Sequence, residues 1–367
     1  MAMSIVLTVF SVSLISTILA TLVVLADKVL NNYGECEIDI NDGDKTFMVT
    51  GGSNLLSTLA SSRIYIPSAC GGKATCGLCK VRLGSEVGAV LPTEEPYLTK
   101  EEIDANVRLS CQVKVKSSLK LYIPEELFNV REYKAKIVRI TRMTRDIKEF
   151  QFALVNPASV AFKAGQYIQV VTKPYANIKE SVMRAYSISS LPTNNQELEI
   201  IVRLVPGGVC TTFMHEYLQE GDELSLRGPF GEFYLHEGGD TLVFIAGGSG
   251  LAPIKSMVFD ILRQKLDKKL IFFFGAVTKQ DLYYVDLFTK LDAEHDNFQY
   301  VPALSQPDIS DEWEGEIGLI TEVVGRYITD TADMQAYLCG SPGMIDACIR
   351  VLEKAGLSQA DIYYDEF

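Results

Sequence analysis

Apolar and polar positions divide the chain into four stretches of different rhythm. Residues 3–26 carry no charged side chain and consist mainly of Val, Leu, Ile, Ala, Ser and Thr. As one helix they rise roughly 36 Å, enough to cross an apolar layer of about 30 Å with some tilt. The first expectation is therefore a transmembrane helix at 3–26. A cleaved signal peptide is the alternative, but the stretch lacks a basic start, its apolar run is long and no A-x-A site follows. Lys28 is offset by Asp27, so flanking charge sets orientation only weakly.

The second stretch, 35–125, reads as a small mixed domain. Cys36–Ile40 and Lys45–Thr50 alternate as strands around Asn41-Asp42-Gly43-Asp44. Asn54–Ser61 is helical, with Leu55, Leu56 and Leu59 on one side. Lys80–Leu83 and Leu119–Ile123 are strands, and Leu109–Val115 carries Cys111. Thr99 with Glu102 three residues on opens a short helix by a capping box. Pro124 and the charged run after it form a linker.

The third stretch, 131–236, alternates repeatedly: Ala135–Thr141, Ile147–Leu154, Tyr167–Thr172, Ala185–Ser189, Leu198–Leu204 and Glu223–Leu226. Turn residues separate most of these segments, as in a small antiparallel barrel, with one helical interruption at Thr211–Leu218. In the fourth stretch, 240–367, apolar strands alternate with helices. The strands are Thr241–Ala246, Leu270–Phe274, Phe298–Val301, Ala336–Cys339 and Ile362–Tyr364. The helices are Pro253–Leu266, Val285–Ala293, Ile320–Tyr327 and Pro342–Ala355. That order predicts a doubly wound parallel α/β sheet.

Composition narrows the chemistry. The 367 residues carry 34 basic and 47 acidic side chains, a formal charge of −13, which disfavours nucleic acid as a partner. Eight cysteines are too few for a disulfide framework once four are committed elsewhere. Those four are Cys70, Cys76 and Cys79, spaced C-x5-C-x2-C, and Cys111. Gly71, Gly72 and Gly77 free the loop of Cβ atoms, so its backbone can wrap a sulfide core and offer N–H groups to sulfur. A four-thiolate zinc site is the rival, but zinc sites usually bring two C-x2-C pairs, and only one is present. The favoured reading is a [2Fe–2S] centre in a reducing compartment. Cys36 stands apart as a buried, inert residue.

Several glycine-rich turns follow strands. Gly247-Gly248-Ser249-Gly250-Leu251-Ala252-Pro253 opens a helix, where a pyrophosphate is favoured by backbone N–H groups and the helix dipole. Cys339-Gly340-Ser341-Pro342-Gly343 is a second such turn on the same edge of the sheet. Arg184-Ala185-Tyr186-Ser187 combines a cation, a flat ring and a hydroxyl. Gly207-Gly208-Val209-Cys210-Thr211 enters a helix, and Gly228–Phe233 forms another turn. Each alone reads equally well as an ordinary connection; together they are persuasive.

In this order the pieces resemble the ferredoxin–NADP reductase superfamily carrying an N-terminal ferredoxin domain, over nearly the whole chain. The resemblance implies that Arg184 contacts the pyrophosphate of FAD, Tyr186 stacks on the flavin and Ser187 lies near its reacting nitrogen. It places the pyrophosphate in the Gly207–Thr211 turn and the nucleotide of NADH at Gly247, Gly248, Gly250 and Pro253. Cys339 and Gly340 would flank the nicotinamide, and the Asp365-Glu366-Phe367 tail would cover the flavin. Ser187, Cys339 and Phe367 are thus the expected catalytic residues. The C-x5-C-x2-C spacing, the helix at 3–26 and the runs around Tyr283-Tyr284 and Asp296-Asn297-Phe298 are similar to the F subunits of sodium-translocating NADH:quinone reductases. The segment between Leu191 and Arg203 is shorter than in that family.

That resemblance implies a hydride passing from NADH to FAD, then single electrons to a [2Fe–2S] cluster, other membrane subunits and quinone. It implies a single-pass protein of a bacterial inner membrane with its domains facing the cytoplasm. Ser305-Gln306 offers no cation to a 2′-phosphate, which favours NADH over NADPH. The reductase component of a bacterial oxygenase shares the domain order. An electron carrier or assembly scaffold with a vestigial flavin site is the non-enzymatic alternative.

Overall fold

The computed structural model describes residues 2–30 and 33–366, with side chains described over 10–26 and 33–366. The chain forms two compact units, Met1–Asn129 and Val130–Phe367.

In the first unit, α1 (Ala2–Leu30) is helical as its uncharged pattern predicts, and Phe10, Ile15, Leu19 and Val23 are exposed along it. Among the described residues, however, no helix is long and apolar enough to cross a membrane. The transmembrane span expected at 3–26 is therefore not shown.

The rest of the unit is a five-stranded sheet in the order β2-β1-β5-β3-β4. Its strands are β1 (Glu35–Ile40), β2 (Lys45–Thr50), β3 (Lys80–Leu83), β4 (Val107–Leu109) and β5 (Leu119–Tyr122). The central pair, β1 and β5, is parallel. Against the sheet lies α2 (Leu55–Ser61), which buries Leu55, Leu56 and Leu59; the Asn54 side chain caps it by accepting the Ser57 N–H at 2.8 Å. The Thr99–Glu102 capping box opens α3 (Lys100–Asp104) as its spacing predicts. The stretch Leu109–Val115 is the end of β4 followed by a turn that carries Cys111. Val113 and Val115 after it are buried in the core beneath the cysteine loop.

The second unit begins with a six-stranded antiparallel sheet in the order β10-β7-β6-β11-β8-β9. These strands are β6 (Arg131–Arg142), β7 (Ile147–Asn156), β8 (Tyr167–Val171), β9 (Met183–Ser187), β10 (Glu197–Arg203) and β11 (Glu223–Phe230). An Ile188–Ile200 bridge brings the first and last strands together, so the barrel nearly closes. Helix α4 (Val209–Thr212) and the wider turn Phe213–Tyr217 start two residues before the expected Thr211.

A parallel sheet follows, ordered β15-β14-β13-β12-β16-β17. It comprises β12 (Thr241–Gly247), β13 (Lys269–Ala276), β14 (Phe298–Leu304), β15 (Glu316–Ile317), β16 (Met334–Gly340) and β17 (Ile362–Glu366). Helices α5 (Leu251–Gln264), α6 (Val285–Glu294), α7 (Ile320–Tyr327) and α8 (Pro342–Lys354) cover two faces, each with its own apolar cluster. Strand order reverses at β12, so the crevice between the carboxyl ends of β12 and β16 is the place such sheets use for ligands.

One ion pair anchors the first unit. Arg108 forks onto Glu94 at 2.5 Å, with side chains 4% and 0% exposed, and Glu94 also accepts the backbone N–H of Leu91 and Leu109. Arg108→Met leaves that carboxylate buried without its cation and should cost about 3–5 kcal/mol. Urea unfolding of this unit, followed by hydrogen exchange, checks it. The Arg108→Met/Glu94→Gln pair should recover most of the loss; an equal loss in single and double variants would contradict the role given to the ion pair.

Candidate functional site

In the first unit the cysteine loop, 67–79, has no regular structure and bends at Gly71, Gly72, Ala74 and Gly77, all with positive φ. Gly77 is constrained twice, because a Cβ there would also lie 2.7 Å from the Tyr97 ring. The loop brings Cys70 and Cys76 together with sulfurs 3.4 Å apart, and the Lys73 N–H points at the Cys70 sulfur at 3.2 Å. Cys79 and Cys111 form a second pair, tied by the Ser110 N–H to the Cys79 carbonyl, and the Gln112 amide donates to the Cys111 sulfur at 3.6 Å. A hydrogen bond from Cys76 pulls the Cys70 thiol down, and one from Cys79 pulls Cys111 down, while both donors are pushed up.

Among the described residues no three His, Cys, Asp or Glu side chains converge on a single ion position. Two thiol pairs, rather than one tetrahedral cage, fit a centre with two irons better than a zinc ion. The loop N–H groups aimed at sulfur fit it as well.

In the second unit β9 brings Arg184, Tyr186 and Ser187 to the open edge of the barrel, paired through β8. Arg184 donates to the Met183 carbonyl at 2.6 Å. The Tyr186 hydroxyl is buried and has no hydrogen-bond partner. It lies by the buried Cys210 thiol, and burial pushes both groups up. So Cys210, expected in the phosphate turn, turns its side chain into the barrel core beside Tyr186 while its backbone remains in the turn. Gly207 has φ 73° and open space where a Cβ would be; Thr211 Oγ1 braces the turn by accepting the Val205 N–H at 3.2 Å. An unsatisfied ring hydroxyl, an arginine and an open glycine turn fit a flavin nucleotide.

At the sheet crevice the two predicted nucleotide turns meet. Gly247 ends β12, and Gly248, with φ 57°, turns the chain into α5 past the buried Pro253. A Cβ on Gly250 would lie 2.1 Å from the Cys339 carbonyl oxygen, so only glycine lets these backbones touch. Met344 packs beneath Gly247 and Gly340. The Tyr283 hydroxyl donates to the Gly248 carbonyl at 2.7 Å.

Ser187 and Cys339 come together around Asp365. The Ser187 hydroxyl donates to Asp365 at 3.3 Å, and Asp365 is paired in register with Cys339 across β16 and β17. Asp365 is half-buried as a residue, but its carboxyl sits between the buried Ser187 and Cys339. Burial raises its pKa to about 6, against a smaller lowering by the Ser187 hydrogen bond. Burial likewise pushes the Cys339 thiol well above its ordinary range. Phe367 lies outside the described residues. Three residues carry geometry that the motifs did not assign: Asp365 as the partner of Ser187, Tyr283 on the glycine turn, and Lys255 in a buried network described below. Tyr283 lies in a recognisable run, but nothing in the sequence sets Lys255 apart from a solvated helix lysine.

Known proteins agree with this layout. Models of three families match: a 2Fe-2S iron-sulfur cluster binding domain at 38–116, an oxidoreductase FAD-binding domain at 134–234 and an oxidoreductase NAD-binding domain at 244–350. The F subunit of the Na(+)-translocating NADH-quinone reductase in Mannheimia succiniciproducens is 34% identical, with 95% of each chain covered. Its namesake in Yersinia enterocolitica is 33% identical over 100% of both chains. Among solved structures, a cytochrome P450 reductase from Amycolatopsis is 26% identical with TM-score 0.72, covering 90% of this chain and 98% of its own. A ferredoxin reductase of carbazole 1,9a-dioxygenase shares the fold at 24% identity and TM-score 0.68, covering 91% and 98%. FAD, NADH and a [2Fe–2S] cluster are the cofactors of these domains, and the chain is a flavin- and iron–sulfur-dependent oxidoreductase. It belongs to the family of Na(+)-translocating NADH-quinone reductase F subunits.

Proposed function

We propose that the chain is the electron-input subunit of a membrane quinone reductase, oxidising NADH and passing electrons through FAD and a [2Fe–2S] cluster to partner subunits and quinone. The observation that carries it is the meeting of Ser187, Cys339 and Asp365 beside the crevice of the parallel sheet. Flavin accepts a hydride from NADH and the cluster carries single electrons. The residues of the chain bind, orient and shield. Arg184 and the Gly207–Thr211 backbone hold the FAD pyrophosphate, and Tyr186 packs against the ring system. Gly247, Gly248 and Gly250 admit the NADH pyrophosphate, with Pro253 shaping the start of α5. Cys339 and Gly340 wall the nicotinamide pocket, and Asp365 orients the Ser187 hydroxyl. Cys70, Cys76, Cys79 and Cys111 would hold the cluster through their thiolates. The working domains are 35–125 for the cluster, 131–236 for FAD and 240–367 for NADH.

The uncharged stretch 3–26 and the exposed apolar side chains of α1 support a single-pass anchor in a bacterial inner membrane, with the domains on the cytoplasmic side. One helix forms no ion pathway, so sodium transport would rest with partner subunits. Ser305 and Gln306, just after β14, offer no cation to a 2′-phosphate, which supports NADH as coenzyme. A second reading, the reductase of an oxygenase, is favoured by the similarity to the P450 reductase, but that relative is less identical and covers less of the chain than the quinone reductase subunits.

Cys76→Ala separates the modules. It should abolish the cluster's electron paramagnetic resonance signal and electron delivery to quinone, while flavin reduction by NADH stays within about twofold of wild type. Loss of flavin reduction as well would contradict the assignment. Copurification with an oxygenase instead of other membrane subunits would favour the second reading.

Asp365 predicts a pH dependence. Its folded pKa of about 6 lies above the ordinary 3.8, so ionising it in the folded protein is unfavourable. That penalty is absent below about pH 4, grows between the two values and is complete above about pH 6. Asp365→Asn should therefore match wild-type melting near pH 4 and melt higher than wild type above pH 6. Parallel melting curves across that window would contradict the buried carboxylate.

A further inference from the structure

Beside the nucleotide crevice, a buried charge network ties the parallel-sheet lobe to the barrel. Lys255, one turn into α5 and 9% exposed, reaches Glu149 of β7 at 3.1 Å and Glu199 of β10 at 2.9 Å. Glu149, 5% exposed, accepts the Tyr284 hydroxyl through both oxygens, at 2.6 and 2.8 Å. The Tyr284 hydroxyl is 3.4 Å from the Lys255 ammonium, and the next residue along α5, Ser256, donates to the Ser190 carbonyl at 2.6 Å. Tyr284 precedes α6 in a left-handed conformation, φ 59°, which a non-glycine residue holds only when its surroundings require it. Its neighbour Tyr283 is the residue bonded to the Gly248 carbonyl.

Two features exceed what packing needs. A lone ammonium shared between two carboxylates is a costly way to cover an interface, because each ion must leave water. The network also addresses both ends of the nucleotide turn, through α5 on one side and through the Tyr283–Tyr284 pair on the other. We propose that Lys255, Glu149, Glu199 and Tyr284 form a positioning clamp that sets the Gly247–Gly250 turn, and with it the nicotinamide, at its reacting height over the barrel-bound flavin. These are positioning residues: they touch neither substrate nor flavin and act through the turn. The inference rests on the proposed NADH-to-FAD reaction.

Removing Lys255 alone strands two carboxylates, so the informative variant is Lys255→Met/Glu149→Gln, which keeps the net charge of the network. Tyr284→Phe is the milder companion should the double variant fail to fold. Two readouts on the purified full chain test the clamp: stopped-flow flavin reduction at saturating NADH together with the NADH dissociation constant, and hydrogen exchange at the 247–251 amides without NADH. The clamp predicts that the limiting reduction rate falls about tenfold while NADH affinity stays within about twofold. It also predicts faster exchange at 247–251. An unchanged rate with unchanged exchange, whatever the melting temperature, would overturn it, as would affinity falling as much as rate. If wild-type flavin is not reduced by NADH, the proposed function fails, and unchanged exchange in the variants would then count against the clamp separately.

Discussion

The close approach of two backbones at the sheet crevice governs the second unit. Gly250 meets the Cys339 carbonyl where any side chain would overlap it, and the turns after β12 and β16 therefore present their edges as one surface. That contact brings the first turn of α5 beside Cys339, and the pairing of β17 with β16 then sets Asp365 next to both Cys339 and Ser187. The barrel contributes the opposite wall, with Ser187 at the end of β9 and the orphan Tyr186 hydroxyl behind it. The backbone strain of the site lies at Tyr284, and its electrostatic cost lies in the half-buried carboxylate of Asp365.

The first unit solves a different problem. Four sulfurs must stand close without forming disulfides or collapsing onto one ion. The loop does this by splitting them into two pairs and by aiming the Lys73 N–H and the Gln112 amide at sulfur. Beneath them, the Arg108–Glu94 pair holds the strap around Leu91 against β4, so the turn carrying Cys111 starts from a fixed strand. Chemistry at the surface of this unit thus rests on a buried ion pair well inside it.

What can be read from the sequence follows from how local each signal is. The cysteine run and the glycine turns are legible because thiolates and close backbone approach admit few residue types. Leu55, Leu56 and Leu59 are legible because a helix must bury a face, and the Thr99–Glu102 box because capping is a three-residue affair. The turn at Cys111 has no local signature, since Val113 and Val115 are buried for the sake of the loop above them rather than for a ladder. Asp365 escapes a local reading because its partner, Ser187, is 178 residues away. Lys255 escapes for the same reason: its two carboxylates lie on another lobe, and on its own helix it looks like an ordinary surface cation.

The proposed relay lets one chain take two electrons from NADH and distribute them between a flavin and a two-iron cluster. Its most direct test is an anaerobic titration of the purified full-length protein with NADH, following flavin and cluster absorbance together. The flavin bands should bleach and the broad iron–sulfur absorbance should fall in the same titration, with an end point of about 1.5 NADH per chain for three electrons taken up. A flavin that ignores NADH, or one that bleaches at one equivalent while the cluster absorbance never changes, would contradict it.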